Sequence, residues 1–583
     1  MKDKIEKKDL SFSLNPNIGN NTLDSSNYNL LDTSINIFDT FEKNKNYIES
    51  LYNAKINSDF VLREFYANIN SKRFSAFIAY FDGMTDVTAI NDFVLKPLML
   101  HHKSNTIENE SQAYSSQSND PVQVDQSSLS TYILNCLIPQ NDVRKIEKFF
   151  DITSGINSGN CILFIDSLDC AFEIDTKSFS QRSVGEPKNE IIIKGPQIAF
   201  VESIRANTSL LRVSVNNENL IIENIAVGKL SKTKCGICYI NNIANSDLVA
   251  EVKRRINNLD IDILLSSGQL EQLIDEPNYL GIPTIISTER PDKCYKYLYQ
   301  GRVIILVNGN PYALIMPSTI VDYIFSLEDS NLKPLFANFL RTLRFISILV
   351  TLLFSGLYAA ATSFHQDVLP TELLFSIISS RENMSFPIIV ELLIMEISFE
   401  IIREAAIRVP NVIGSTLGIV GGLILGDAAV SANIVSNILV IIVAITGITS
   451  FSIPDFSFGF HIRIMRFLFI ILGYFFGFLG IGIGLFLYVT FLCSFDSFGV
   501  PFSIPYTPII DNSNLNFFIS YFWKRNHLEN ITNPKIKTVQ DKISKKWAYD
   551  YKEKRWHKHH LFSLFLYIFF SYSFINSFFY IFF

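Results

Sequence analysis

From Arg341 onward the chain runs through long stretches of little but Leu, Ile, Val, Phe, Gly and Ala, and no other feature limits its fold so severely. Upstream of Asn331 the mix is that of an ordinary globular protein. This uneven spread predicts a soluble N-terminal half followed by a membrane-embedded half, with the boundary near Leu335. Leu343–Phe364 would be ~33 Å long as a helix, enough for a hydrocarbon core of ~30 Å. Ile413–Val430 and Ile434–Ile453 read as two further spans in tight succession, and Phe467–Cys493 as a fourth, long enough to tilt. Leu369–Ser379 is too short to cross and reads as re-entrant or interfacial. Leu561–Phe583 is long enough to cross but is nearly a low-complexity Phe/Tyr run.

Phe386–Ile407 carries Glu396, Glu400 and Glu404 at i, i+4, i+8, which stacks their carboxylates on one stripe of a helix. Acids are costly in lipid unless they face water, protein or the headgroup layer. Two readings stay open: an amphipathic helix lying in the interface, or a helix lining a wet vestibule whose acids attract cations. Arg341 and Arg344 directly precede the first span and place its N-terminus in the cytoplasm. Lys524–Lys558 is densely basic and is expected inside too. Four spans satisfy both conditions if Phe386–Ile407 does not cross; five do not.

The soluble half has alternating strand and helix patterns, giving an α/β or α+β class in two subdomains, 58–215 and 216–330. A poorly ordered arm (1–57) precedes them, with a helix around Phe41–Asn53. The membrane domain takes 331–510, and 511–583 is a basic tail with a Phe-rich apolar end. Strands are predicted at Ser75–Phe81, Cys161–Ile165, Asp169–Ile174, Leu220–Val227, Gly236–Ile240, Ile261–Leu265 and Val303–Val307. Helices are predicted at Thr88–Met99, Tyr132–Phe150 and Ser246–Asn257. The polar insert 101–130 has no apolar period and reads as a loop. Asn308-Gly309 is a hairpin signal.

A net charge of −6, with no concentrated basic face in the soluble half, excludes a strongly basic nucleic-acid binder. The N-terminus lacks the apolar core of a secretory signal, so the soluble half is expected to stay in the cytoplasm. Of seven cysteines only Cys235 and Cys238 form a CxxC. Their setting alternates like a strand, whereas a redox pair needs a helix start, and no second pair completes a zinc set. No Gly-rich phosphate loop, GxSxG or HExxH is present, so the chain reads as a non-enzyme without a cofactor.

Short words spread along the chain resemble the A subunit of the GerA-type spore germinant receptors. They include DFVLREF (Asp59–Phe65), YFDGMTD (Tyr80–Asp86), INDFVLKPLM (Ile90–Met99), STERPD (Ser287–Asp292) and GRVIILVNGNPYALIMP (Gly301–Pro317). The apolar half adds SFHQDVLPTELL (Ser363–Leu374), FEIIREAAIRVP (Phe399–Pro410), GIVGGLILGDAAV (Gly418–Val430) and SFGVPF (Ser497–Phe502). The resemblance runs in order from about Asp59 to about Pro508. It implies an integral protein of the bacterial spore's inner membrane, with the N-terminal half on the core side. It further implies an ion-conducting subunit that works with a B subunit, a nutrient-sensing membrane protein, and a C subunit, a lipoprotein. Stage V sporulation protein AF shares the superfamily, so a role like that protein's is an alternative. The insert 101–130 is longer than the family pattern, and everything after Phe522 departs from it.

Within that frame, Gly414, Gly418, Gly422 and Gly426 recur every fourth residue, spacing that lets helix backbones approach closely in lipid. Several subunits could then surround an axis with Gly418, Val420, Gly421, Leu423 and Asp427 toward a narrow, apolar pore that gates by dewetting. Such a pore requires a homo-oligomer. His365, Pro370 and Glu372 cluster after the first span as a hinge, or equally as a hydrated loop with a helix cap. The leading expectation is a ligand-gated cation channel subunit in contact with membrane lipid. A transporter and a structural platform that recruits germination proteins are the alternatives.

Overall fold

A computed structural model describes residues 35–69, 72–100, 126–178, 185–187, 189–276, 280–382, 384–408 and 426–504. The soluble half contains two five-stranded sheets. β1 (Phe60–Ile69), β2 (Lys72–Phe81), β3 (Val143–Ile146), β4 (Cys161–Ile165) and β5 (Ala171–Ile174) form the first, in the order β1-β2-β4-β5-β3. β6 (Leu220–Val227), β7 (Thr233–Ile240), β8 (Ile286–Thr288), β9 (Val303–Val307) and β10 (Ala313–Met316) form the second, in the order β6-β7-β9-β10-β8. Every pairing is antiparallel, which settles the class as α+β. The two orders are the same when each sheet is numbered from its own first strand. Each also receives two helical stretches after its second strand and one helix before its fourth. The soluble half is thus one ββααβαββ arrangement used twice, a repeat its sequence does not display.

Helix α1 (Phe41–Leu51) packs on the first sheet through Ile48 and the neighbouring Tyr52, both fully buried, so residues 35–57 are not an arm. The stretch 132–150, expected to be one helix, divides into helical turns through Leu137, strand β3, and the start of α2 (Phe149–Asn157). Arg144 and Lys145 explain the error: β3 is an edge strand with polar, exposed middle positions, and short edge strands carry little apolar signal. Residues 126–130 of the expected loop begin the helix Gln126–Tyr132. Ile261–Leu265 is irregular rather than a strand; it lies along the β6–β7 turn, where Lys229 and Leu230 donate to Ile261 and Asp262 carbonyls. Asn308-Gly309 does turn β9 into β10, with Gly309 at φ +86°.

Helix α3 (Ile204–Val215) ties the sheets together. Buried Arg212 donates to both Asp59 carboxylate oxygens (2.9 and 2.8 Å), to Asn57 Oδ1 (2.8 Å) and to the Leu220 carbonyl (2.7 Å). Asp59 and Asn57 lead into β1 while Leu220 opens β6, so one guanidinium fixes both sheet entrances. Helices α4 (Ser246–Asn257), α5 (Ser267–Ile274) and α6 (Pro291–Leu298) complete the second subdomain.

The apolar half comprises α7 (Pro334–Ser363), α8 (Thr371–Arg381), α9 (Ile388–Arg408), α10 (Asn437–Ser450) and α11 (Phe456–Ser494). Among the described residues two helices, α7 and α11, are long and apolar enough to cross a membrane. Helix α10, at 14 residues, falls short of the span expected over Ile434–Ile453. The expected single span Phe467–Cys493 is corrected by the geometry of α11. Gly477 interrupts it at φ +61°, ψ −148°, and the chain doubles back. His461 Nε2 lies 2.9 Å from Tyr488 Oη although 27 residues separate them; in a straight helix those positions would stand ~40 Å apart. Leu472 meets a Cβ built at Gly484, as antiparallel limbs require. Helix α11 is therefore a hairpin whose two limbs, 456–476 and 478–494, are each an apolar helix.

No polar gap separates the halves. One buried core runs from Ile222, Ile304 and Ile315 in the second sheet to Leu352 of α7 and Phe458, Phe469 and Tyr488 of α11. His461 Nδ1 pairs with the Leu280 carbonyl at 2.9 Å, and after the hairpin Ser497 Oγ donates to the Thr284 carbonyl at 2.7 Å. The apolar half thus leaves the second sheet at Asn331 and returns to it at Ser497.

Candidate functional site

The densest cluster of charge in the apolar half is built on α9. Glu396 is fully buried, accepts from Ser355 Oγ of α7 (2.6 Å) and Thr446 Oγ1 of α10 (3.4 Å), and faces Arg466 Nη2 of α11 at 2.9 Å. The same Nη2 donates to Glu400 Oε1 at 3.0 Å. Arg403 holds Glu400 from within α9 (3.0 Å) and donates to Ser450 Oγ of α10 (2.7 Å), while Arg463 stands 3.7 Å from Glu400. Four helices converge on two carboxylates and three guanidinium groups, leaving one net positive charge in the cluster. Arg466, with no exposed surface, keeps Nε and Nη1 without a hydrogen-bond acceptor among the described residues. Buried arginine is expensive unless paired, so this cluster constrains how the four helices can move.

The stripe read from the sequence is therefore divided. Glu396 and Glu400 face arginines inside the protein, whereas Glu404 is exposed and pairs with Arg408. A second pair, Arg381 with fully buried Glu391, ties α8 to the start of α9 at 3.1 Å. Sequence reading passed over Arg403, Arg463 and Arg466. The available signal was HIRIMRF: two arginines three apart inside an apolar run need acids on a neighbouring helix.

Arg341 and Arg344, read from the sequence as the basic flank that orients the first span, both pair with the buried Asp329 carboxylate, at 3.2 and 2.8 Å. His365 is exposed and packs on the hairpin turn, its ring tilted 4.6 Å from that of Phe478; a Cβ at Gly477 would come within 2.7 Å of its Cε1. Pro370 sits at the N-terminal boundary of α8 without a side-chain cap, and Glu372 is exposed in the first turn. Of the glycine stripe, Gly414, Gly418, Gly421 and Gly422 lie outside the described residues, as do Val420 and Leu423. Gly426 is buried against Val440, and Asp427 is exposed. Among the described residues α7 and α11 approach closely: a Cβ at Gly473 of α11 would meet the Gly356 carbonyl of α7. Lys524–Lys558 and Leu561–Phe583 also lie outside the described residues.

In the soluble half Cys235 and Cys238 sit on β7, as the alternation indicated, and point into different cores. Burial pushes the Cys235 thiol up to about 12, so it is an inert core side chain. Glu271 of α5 is the group there whose titration is moved into the physiological range. Burial, with the Asp275 and Asp455 carboxylates nearby, raises it to about 7.

A twice-used antiparallel module fused through its core to apolar helices, which carry a buried charge cluster and broad exposed apolar faces, defines a membrane-associated protein with a large soluble region. The family model for "Bacillus/Clostridium GerA spore germination protein" matches residues 46–531. The chain belongs to that family. It is 36% identical over 464 residues to spore germination protein KA of Bacillus subtilis, covering 80% of this chain and 81% of that one. It is 39% identical over 368 residues to spore germination protein A1 of the same organism, covering 63% and 76%. Among solved structures, the N-terminal domain of the A subunit of the Bacillus megaterium spore germinant receptor GerK3 is 28% identical. That match covers 49% of this chain and 98% of the other, at a TM-score of 0.36.

Proposed function

We propose that this chain is the A subunit of a nutrient germinant receptor and forms, with copies of itself, a cation channel of the spore inner membrane. A B subunit that senses nutrient and a C lipoprotein would complete the receptor. The chain would act as a conduit, not a catalyst, with its soluble half on the core side. Family membership supports the germination role. The observation that carries the channel reading is the Glu396–Arg466–Glu400 cluster: ionised groups buried among apolar helices are retained where conduction or switching needs them. In the sequence, helix α9, which bears the two acids, comes shortly before the candidate pore residues Val420 and Asp427.

The test is planar-bilayer conductance of the purified oligomer with its partner subunits and a germinant. A germinant-dependent cation current is expected. Val420→Ala should leak without germinant, and Asp427→Asn should weaken preference for cations over anions. No current under any partner or germinant condition would sink the channel reading and favour the platform role.

A further inference from the structure

We propose that the second subdomain dips an apolar surface into the lipid leaflet beside it, through the loop 190–197 and the first turns of α7. This rests on α7 crossing the bilayer. The loop is firmly held: Arg290, itself buried, donates to the Glu190 and Pro196 carbonyls at its two ends (2.9 and 2.7 Å) and pairs with Asp292 at 2.7 Å. Ile192 is buried beneath it and its carbonyl accepts from Gln197, while Glu190 pairs with Lys293 at 2.9 Å. Yet its neighbours Ile191 and Ile193 are 73% and 91% exposed. A loop this well anchored that presents two isoleucines to the outside has an apolar covering in its working state.

The place of the loop points to lipid as the covering. Asn331, three residues before α7 begins, donates to the Lys194 carbonyl at 2.8 Å, so the isoleucines flank the start of that helix. There Leu335 (77% exposed), Phe336, Phe339 and Leu343 make one outward face without a charge on it, continuous with the rest of the apolar helix. Arg341 and Arg344 lie on the other side, paired with Asp329, and do not mark a membrane edge. The apolar face therefore begins about 12 Å before Leu343, the first residue of the expected span. Exposed Lys194 and Lys333 rim it, as basic residues do beside anionic headgroups.

The test uses the full chain with Cys136→Ser and Cys493→Ser, since the other five cysteines are buried. Ile193→Cys is labelled with an environment-sensitive nitrobenzoxadiazole dye, and Ile471→Cys on the exposed face of α11 serves as a separate reporter of the spanning helices. Both are reconstituted in phosphatidylcholine–phosphatidylglycerol vesicles carrying nitroxides at the top or the end of the acyl chain. At position 193 a blue-shifted emission is expected, with more of it lost to the shallow nitroxide than to the deep one. Position 193 unquenched and open to aqueous iodide, with 471 quenched, would overturn the proposal alone. Both positions unquenched would overturn the membrane reading with it. Position 193 shielded from iodide but unquenched by lipid would assign the face to a second copy of the chain, and that too overturns the proposal.

Discussion

Replacing Gly477 by alanine tests the hairpin in α11 at its turn. The residue sits at φ +61°, ψ −148°, a region closed to side chains with a Cβ. Holding alanine there costs on the order of 1–3 kcal/mol. The new Cβ would also stand 2.7 Å from His365 Cε1 and 3.1 Å from Nδ1, so the ring must shift from its place against Phe478. Mid-range backbone strain and the displaced ring together come to about 3 kcal/mol, enough to lower the thermal midpoint in mild detergent clearly. The two contributions separate: Gly477→Ala combined with His365→Ala should recover the steric part and leave the backbone part. The fold-back itself is read by spin labels at exposed Phe460 and Val489, one on each limb. In a straight helix they would be ~44 Å apart, and in the hairpin they come within about half of that. A Gly477→Ala protein as stable as the parent, together with the long label distance, would refute the hairpin and restore a single span.

Arg466→Leu should destabilise the protein by about 3–5 kcal/mol because it strands Glu396 in the core, and adding Glu396→Gln should restore part of that loss; equal losses in single and double variants would show the pair is not coupled. Glu271, at about 7 when folded against an ordinary value of 4.5, makes stability depend on pH. Its folded form holds the proton more tightly, so its contribution is full below about pH 4.5 and is lost as the pH rises through about 7. Allowing for partial exposure, this amounts to about 1–2 kcal/mol. Denaturation midpoints between pH 5 and 8 should fall less steeply in Glu271→Gln, and parallel curves would remove the assignment. Topology is checked by labelling Lys545→Cys with an impermeant reagent, which should reach it only from the side that holds the soluble half. Labelling from the other side would place a further crossing after Ile504.

What the sequence determined was the division near Leu335, the strand at Cys235–Cys238, the β9–β10 turn and the family words, each a local pattern of apolar spacing or residue order. It did not show that the soluble half uses one strand order twice, because the pairing of distant strands leaves no mark when the two copies differ in sequence. Nor could it tell a 39-residue apolar run from a hairpin. Glycines at 473, 477, 480 and 484 look alike in spacing, and only packing against His365 and α7 singles out Gly477 as the turn. The acids on α9 were legible as a stripe, but not their partners, since Arg466 lies 70 residues beyond Glu396 and meets it only when α11 docks. Likewise Arg341 and Arg344 read as the basic flank of a span, and tertiary structure turned them inward to Asp329. Periodicity fixes which side of a helix is apolar, but what covers that side depends on which other elements reach it. That is settled by the free energy of burying charge and apolar surface together in one core.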